Sequence, residues 1–152
     1  MKDRDVEKII QMKKDWIEKH LELYKERKES LKELKPFTDE ELKELTKKAK
    51  ELIPQRVEYY AQKIGVTYNR ITIRHQKTRW GSCSSQGNLN FNCLLMLFPL
   101  EVLDSVVVHE LCHRKHMNHS AAFYNEIEKV FPEYRKWHKY LNEKSALYLS
   151  RV

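Results

Sequence analysis

The sequence lacks any apolar run near the eighteen or so residues that a membrane span needs. Its opening, "MKDRDVEKII", is charged throughout and has no signal-peptide core. A cytoplasmic setting with no membrane contact is therefore expected. Cysteine is scarce: Cys83, Cys93 and Cys112 make three, an odd number. Without an export signal these read as reduced thiols, and their spacing is not that of a zinc ribbon. Cys83 and Cys93 flank a turn-rich stretch and could approach each other. Internal repeats and low-complexity linkers are absent, and 152 residues suit one domain with at most an appendage.

Acid is missing from one long stretch. No Asp or Glu occurs between Glu58 and Glu101, whereas Lys63, Arg70, Arg74, Lys77 and Arg79 do. Residues 1–50 are close to balanced, with about 15 basic and 13 acidic side chains, so most of the net charge of +7 lies later. The basic 63–79 stretch could attract nucleic acid or an acidic peptide, or be a plain solvated surface.

What is present is mostly helical periodicity. Val6, Ile9, Ile10, Trp16, Ile17, Leu21, Tyr24, Leu31 and Leu34 recur at helical spacing, predicting a long amphipathic helix over 1–36 that ends at Pro36. Residues 37–152 then form the main unit. Thr38 and Glu41 make a capping box for a second helix, Pro54 should kink or break it, and Gly65 should stop it. The β-branched "ITIRHQKTRW" and the alternating "NLNFNC" read as two strands of a hairpin, with "GSCSSQGN" as its turn. "LLMLF" is buried, as strand or as the run into a helix over 100–115. Ser120 caps a further helix and Pro132 opens the last one.

The chemistry gathers in "VVVHELCHRKHMNH". His109, Glu110 and His113 form HExxH. Four helical residues advance about 6 Å and just over one turn, so both imidazoles leave one face and can share a zinc ion. Glu110 lies beside the first ligand, placed as a general base for water. A catalytic zinc usually takes three protein ligands. His119 can return after a turn near Asn118, giving the HExxHxxxxxH spacing of three-histidine zinc proteases. Those have glycine where this chain has His116. Glu126 on the next helix is the alternative third ligand. His116 sits about 10 Å along the axis from His109, too far to share the ion. Cys112 points away and reads as a buried thiol. Arg79, His116, Tyr124 and Tyr134 are candidate oxyanion donors, and residues 72–80 or 88–92 could align an extended substrate. Trp80, Gly81 and Ser82 could equally be only a tight packed turn.

With these residues in view, the stretch Leu52 to Trp137 resembles the YgjP-like metallopeptidases. "YNRITIRHQKTRWGSCSSQGNLNFN", "VVVHELCH" and "NHSAAF" carry the likeness. The resemblance implies an α+β, zincin-like fold: mostly helical, with a small antiparallel sheet or hairpin over the HExxH helix. It implies zinc at His109, His113 and His119, and kinship with SprT-like and WLM-type proteases, some of which act on DNA-attached proteins. The chain departs at Cys93 and Leu94, where relatives tend to have an aromatic and an arginine, and at Tyr124, where they tend to have Trp. It also starts on a helix where relatives carry strands, so a reduced sheet, or a trimmed or divergent form, is expected. The function expected is a zinc-dependent peptidase acting on a peptide or protein. The alternatives are a nucleic-acid-associated protease or nuclease, and a non-catalytic zinc-binding module.

Overall fold

The computed structural model describes Gln11, Lys13, Lys14, Trp16, Ile17, Glu18 and residues 35–149. The six early residues are helical, with Ile17 buried and Trp16 packed on the core, as the apolar stripe requires. The rest of the expected first helix and its end lie outside the described residues.

Helix α1 (Asp39–Ile64) begins as its sequence dictates. Thr38 accepts from the Glu41 N–H while Glu41 accepts from the Thr38 N–H, both at 3.1 Å, so two orphan donors are satisfied together. Its C-cap is Gly65, left-handed at φ 84°, where a side chain would be strained. Of the expected kink or break at Pro54, the break does not occur: the helix runs through it. The fully buried Ile53 and Val57 on either side anchor both halves in the core. Tertiary packing thus offsets the lost hydrogen bond.

Three strands follow: β1 (Ile71–Arg74), β2 (Gly81–Cys83) and β3 (Leu89–Asn92). Their spatial order is β1-β3-β2. β3 pairs in parallel with β1 and antiparallel with β2. An antiparallel hairpin is present, formed by β2 and β3, but its first strand is not the expected one: "GSC" is a strand, not part of the turn, "ITIR" joins β3 in parallel, and the sheet is mixed rather than antiparallel. The turn is the shorter "SSQGN", closed by a 3.0 Å bond from the Gly87 N–H to the Ser84 carbonyl, with Gly87 at φ 87°. Cys83 faces Leu89 at one end of β3, whereas Cys93 follows its other end. The pairing therefore keeps those thiols apart, and all three cysteines are free.

The alternation in "NLNFNC" holds. Leu89, Phe91 and Cys93 are buried in the core. On the polar side, the Asn90 amide donates to Ser82 Oγ across the strands at 3.1 Å. The Asn92 amide donates to the carbonyls of Gln76 and Arg79 at 2.9 Å, pinning the loop that leads into β2. Residues Cys93–Leu97 form a buried 3-10 helix, capped by Asn92 Oδ1. Helix α2 (Leu100–Cys112) is almost wholly buried, α3 (Ala121–Val130) starts at the Ser120 cap, and α4 (Tyr134–Leu149) packs across α2. α2 therefore runs through the centre, with β2 over its C-terminal half and α4 beside it.

Candidate metal centre

α2 carries polar groups where its surroundings are otherwise apolar. Val106, Val107, Val108, Leu111 and Cys112 are buried, and the helix stops at His113. The next turns tighten, with the N–H groups of Lys115 and His116 both reaching the Cys112 carbonyl at 3.0 Å. That turn brings His119 back. One ligand atom from each of His109, His113 and His119 lies within 4.8 Å of the others. A tetrahedral zinc with bonds of about 2.0–2.1 Å spaces its ligands by about 3.4 Å, so the three rings can close on one ion with little movement.

The donor set suits a cation. His113 Nδ1 lies 3.0 Å from the His116 carbonyl oxygen. A carbonyl only accepts, so Nδ1 carries the proton and Nε2 keeps its lone pair. His109 Nδ1 is engaged by the Tyr134 hydroxyl at 2.7 Å, a group that can accept or donate. Burial, with His113, His119 and His138 close by, pushes the His109 pKa down to about 3, and burial also lowers that of His113. Neutral imidazoles are what metal binding needs. Phe123 of α3, fully buried, holds all three rings: centroids lie 5.0 Å from His109, 4.5 Å from His113 and 5.2 Å from His119.

Glu110 is 6% exposed. Burial pushes its pKa up to about 8, with Arg79 pulling against that. Among the described residues no side chain donates a hydrogen bond to its carboxylate. The space it occupies exists because position 81 is glycine: a Cβ there would meet Glu110 Oε2 and Val106 Cγ1 at 3.1 Å. Arg114, just past the helix end, ties the sheet to the site by donating to the carbonyls of Thr67 and Ser85 at 2.9 and 2.8 Å.

The other candidates fall elsewhere. Glu126 faces Lys115 at 3.6 Å and Lys129 at 3.9 Å and is not in the histidine cluster. His116 contributes its backbone rather than its ring. The Cys112 thiol is fully buried, and burial pushes its pKa up to about 12. The Tyr134 hydroxyl is engaged by His109 Nδ1 at 2.7 Å. Sequence reasoning gave Gly81 only a turn role and missed Arg114 and His138; of the two missed, only His138 had a signal, its i,i+4 spacing from Tyr134.

A family model for the YgjP-like metallopeptidase domain matches residues 38–144. Among solved structures, the chain resembles the metallopeptidase zymogen of Methanocaldococcus jannaschii jannalysin: TM-score 0.54 and 25% identity over 60% of this chain and 95% of that one. The metallopeptidase zymogen of Pyrococcus abyssi abylysin has a similar fold, with TM-score 0.54 and 23% identity over 60% of this chain and 94% of that one. The search of curated proteins gave no significant match. No helix among the described residues is long and apolar enough to cross a membrane.

Proposed function

The chain belongs to the YgjP-like metallopeptidase family, a hydrolase family, and we propose that it is a zinc peptidase with His109, His113 and His119 as ligands and Glu110 as general base. The observation that carries this reading is the convergence of three imidazoles beside a buried carboxylate to which no side chain among the described residues donates. A bound zinc supplies a Lewis acid that polarises the scissile carbonyl and acidifies water. Glu110 accepts the proton of the attacking water and delivers it to the departing amine nitrogen, so one carboxylate serves as base and then acid. Phe123 packs against all three rings and holds them together.

Topology supports one strand over another for aligning substrate. β3 is paired on both sides and cannot take a further strand, which removes 88–92. β2 is an edge strand and lies directly over Glu110. An extended peptide added to Gly81–Cys83 would bring its carbonyl to the histidines. A groove of ≈ 670 Å³ lined by Tyr124, Tyr134, Arg135, His138, Lys139 and neighbours offers room for a flanking side chain. No observation favours nucleic acid as a partner of the basic 63–79 stretch.

The test is a panel of unfolded proteins and peptides, incubated with the purified chain before and after removal of metal by a chelator. Cleavage that disappears with the metal and returns with zinc supports the reading. Cleavage indifferent to the chelator contradicts it.

A further inference from the structure

Behind the histidines lies a second polar pair that neither the metal nor the base requires. Tyr134 opens α4 and is 2% exposed. Its hydroxyl lies 2.7 Å from His109 Nδ1 on one side and 3.3 Å from His138 Nδ1 on the other. The three rings are nearly parallel: His109 and Tyr134 at 27°, Tyr134 and His138 at 20°, His109 and His138 at 8°. Tyr134 and His138 are four apart on one helix, so α4 presents both to α2 as a unit.

The geometry points to Tyr134 and His138 as a positioning pair that sets the tautomer and the aim of His109. This rests on the reading of His109 as a zinc ligand. A hydroxyl can accept or donate, so the contact with His109 alone has no direction. If Tyr134 donated to His109 Nδ1, the His109 proton would move to Nε2 and block the ligand atom. In the proposed arrangement His138 is the tautomer protonated at Nε2, so its bare Nδ1 takes the hydroxyl proton. The tyrosine oxygen is then left to accept from His109 Nδ1–H, and Nε2 keeps its lone pair. His138 thus acts only through Tyr134, from a position on α4 that does not contribute to the metal cluster.

The contrast with the other helix ligand explains why two residues are needed. His113 gets its direction from a backbone carbonyl, which has no proton to give. The equivalent partner of His109 is a hydroxyl, which needs a second group to fix it.

The experiment is zinc affinity by competition with a chromophoric chelator on the full chain. Cobalt(II) absorption of the same proteins reports ligand geometry. Tyr134→Phe keeps the buried ring and should weaken zinc binding by about 10–100-fold, with altered cobalt bands. His138→Ala should weaken it by less, and His138→Gln, which retains an acceptor, should recover most of the loss. In the Tyr134→Phe background, His138→Ala should add nothing. Unchanged affinity and cobalt bands in Tyr134→Phe would overturn the inference, as would a full His138→Ala loss on top of Tyr134→Phe. If Tyr134→Phe does not fold, the Ala and Gln forms at the half-buried position 138 carry the test, and equal affinities for the two would overturn it. A parent chain that binds no zinc at all would instead remove the metal reading beneath it.

Discussion

Helix α2 carries two buried polar sets about one and a half turns apart, and they are built oppositely. At Asp104 the set is closed. Arg56 donates to both carboxylate oxygens at 2.8 Å and Tyr60 adds a bond at 3.1 Å, leaving only Arg56 Nη1 without a partner. At Glu110 the set is open. Glu110 as a residue is as buried as Asp104, yet among the described residues no side chain donates to its carboxylate, and three imidazoles gather beside it. Burying an unpaired polar group costs free energy. A chain that closes one such set and leaves another open a short way along the same helix keeps the second for something it binds. The first set joins α1 to α2; the second is where chemistry can occur.

Substitutions at the two sites should therefore fail in different ways. Glu110→Gln should lower peptidase turnover by about 10²–10⁴-fold while zinc content and melting temperature hold, as read by turnover assay and metal analysis. Asp104→Ala should do the reverse. It strands a buried guanidinium and should cost about 3–5 kcal/mol of stability in denaturant melts, with zinc affinity of the folded fraction unchanged. Parallel losses of both properties in both variants would erase the distinction.

A smaller effect sharpens the closed side. Lys13 is 7% exposed, with Nζ 3.9 Å from Met96 Sδ. Burial, opposed by Asp104 and Glu101 and helped by Arg56, lowers its pKa to about 7. Between about pH 7 and 10 the unfolded chain holds this proton and the folded chain releases it, so its penalty falls and stability rises with pH. Lys13→Met should raise stability at pH 7 by on the order of 1–3 kcal/mol. The gap between the two forms in urea midpoints should narrow by pH 9.5; a constant gap would show that the lysine is charged throughout.

The local signals were legible in the sequence. Thr38 with Glu41, Gly65 and Ser120 cap helices through bonds to neighbours a few residues away. His109, Glu110 and His113 follow from helix geometry alone. What failed was non-local. "GSC" has turn composition, and becomes a strand only because β3 lies beside it. Pro54 is tolerated because Ile53 and Val57 are fully buried. Arg56 and Asp104 are 48 residues apart, and nothing in either neighbourhood announces the pair. The spacing of Tyr134 and His138 was visible, but only the packing of α4 on α2 shows that they meet His109.

The measurement that bears most directly on the open site is zinc stoichiometry and affinity for the parent chain, His119→Ala and Glu126→Gln. One zinc per chain is expected for the parent, with affinity lost by at least about 100-fold in His119→Ala and kept in Glu126→Gln. Zinc held as tightly without the His119 ring, or lost on changing Glu126, would contradict the three-histidine centre.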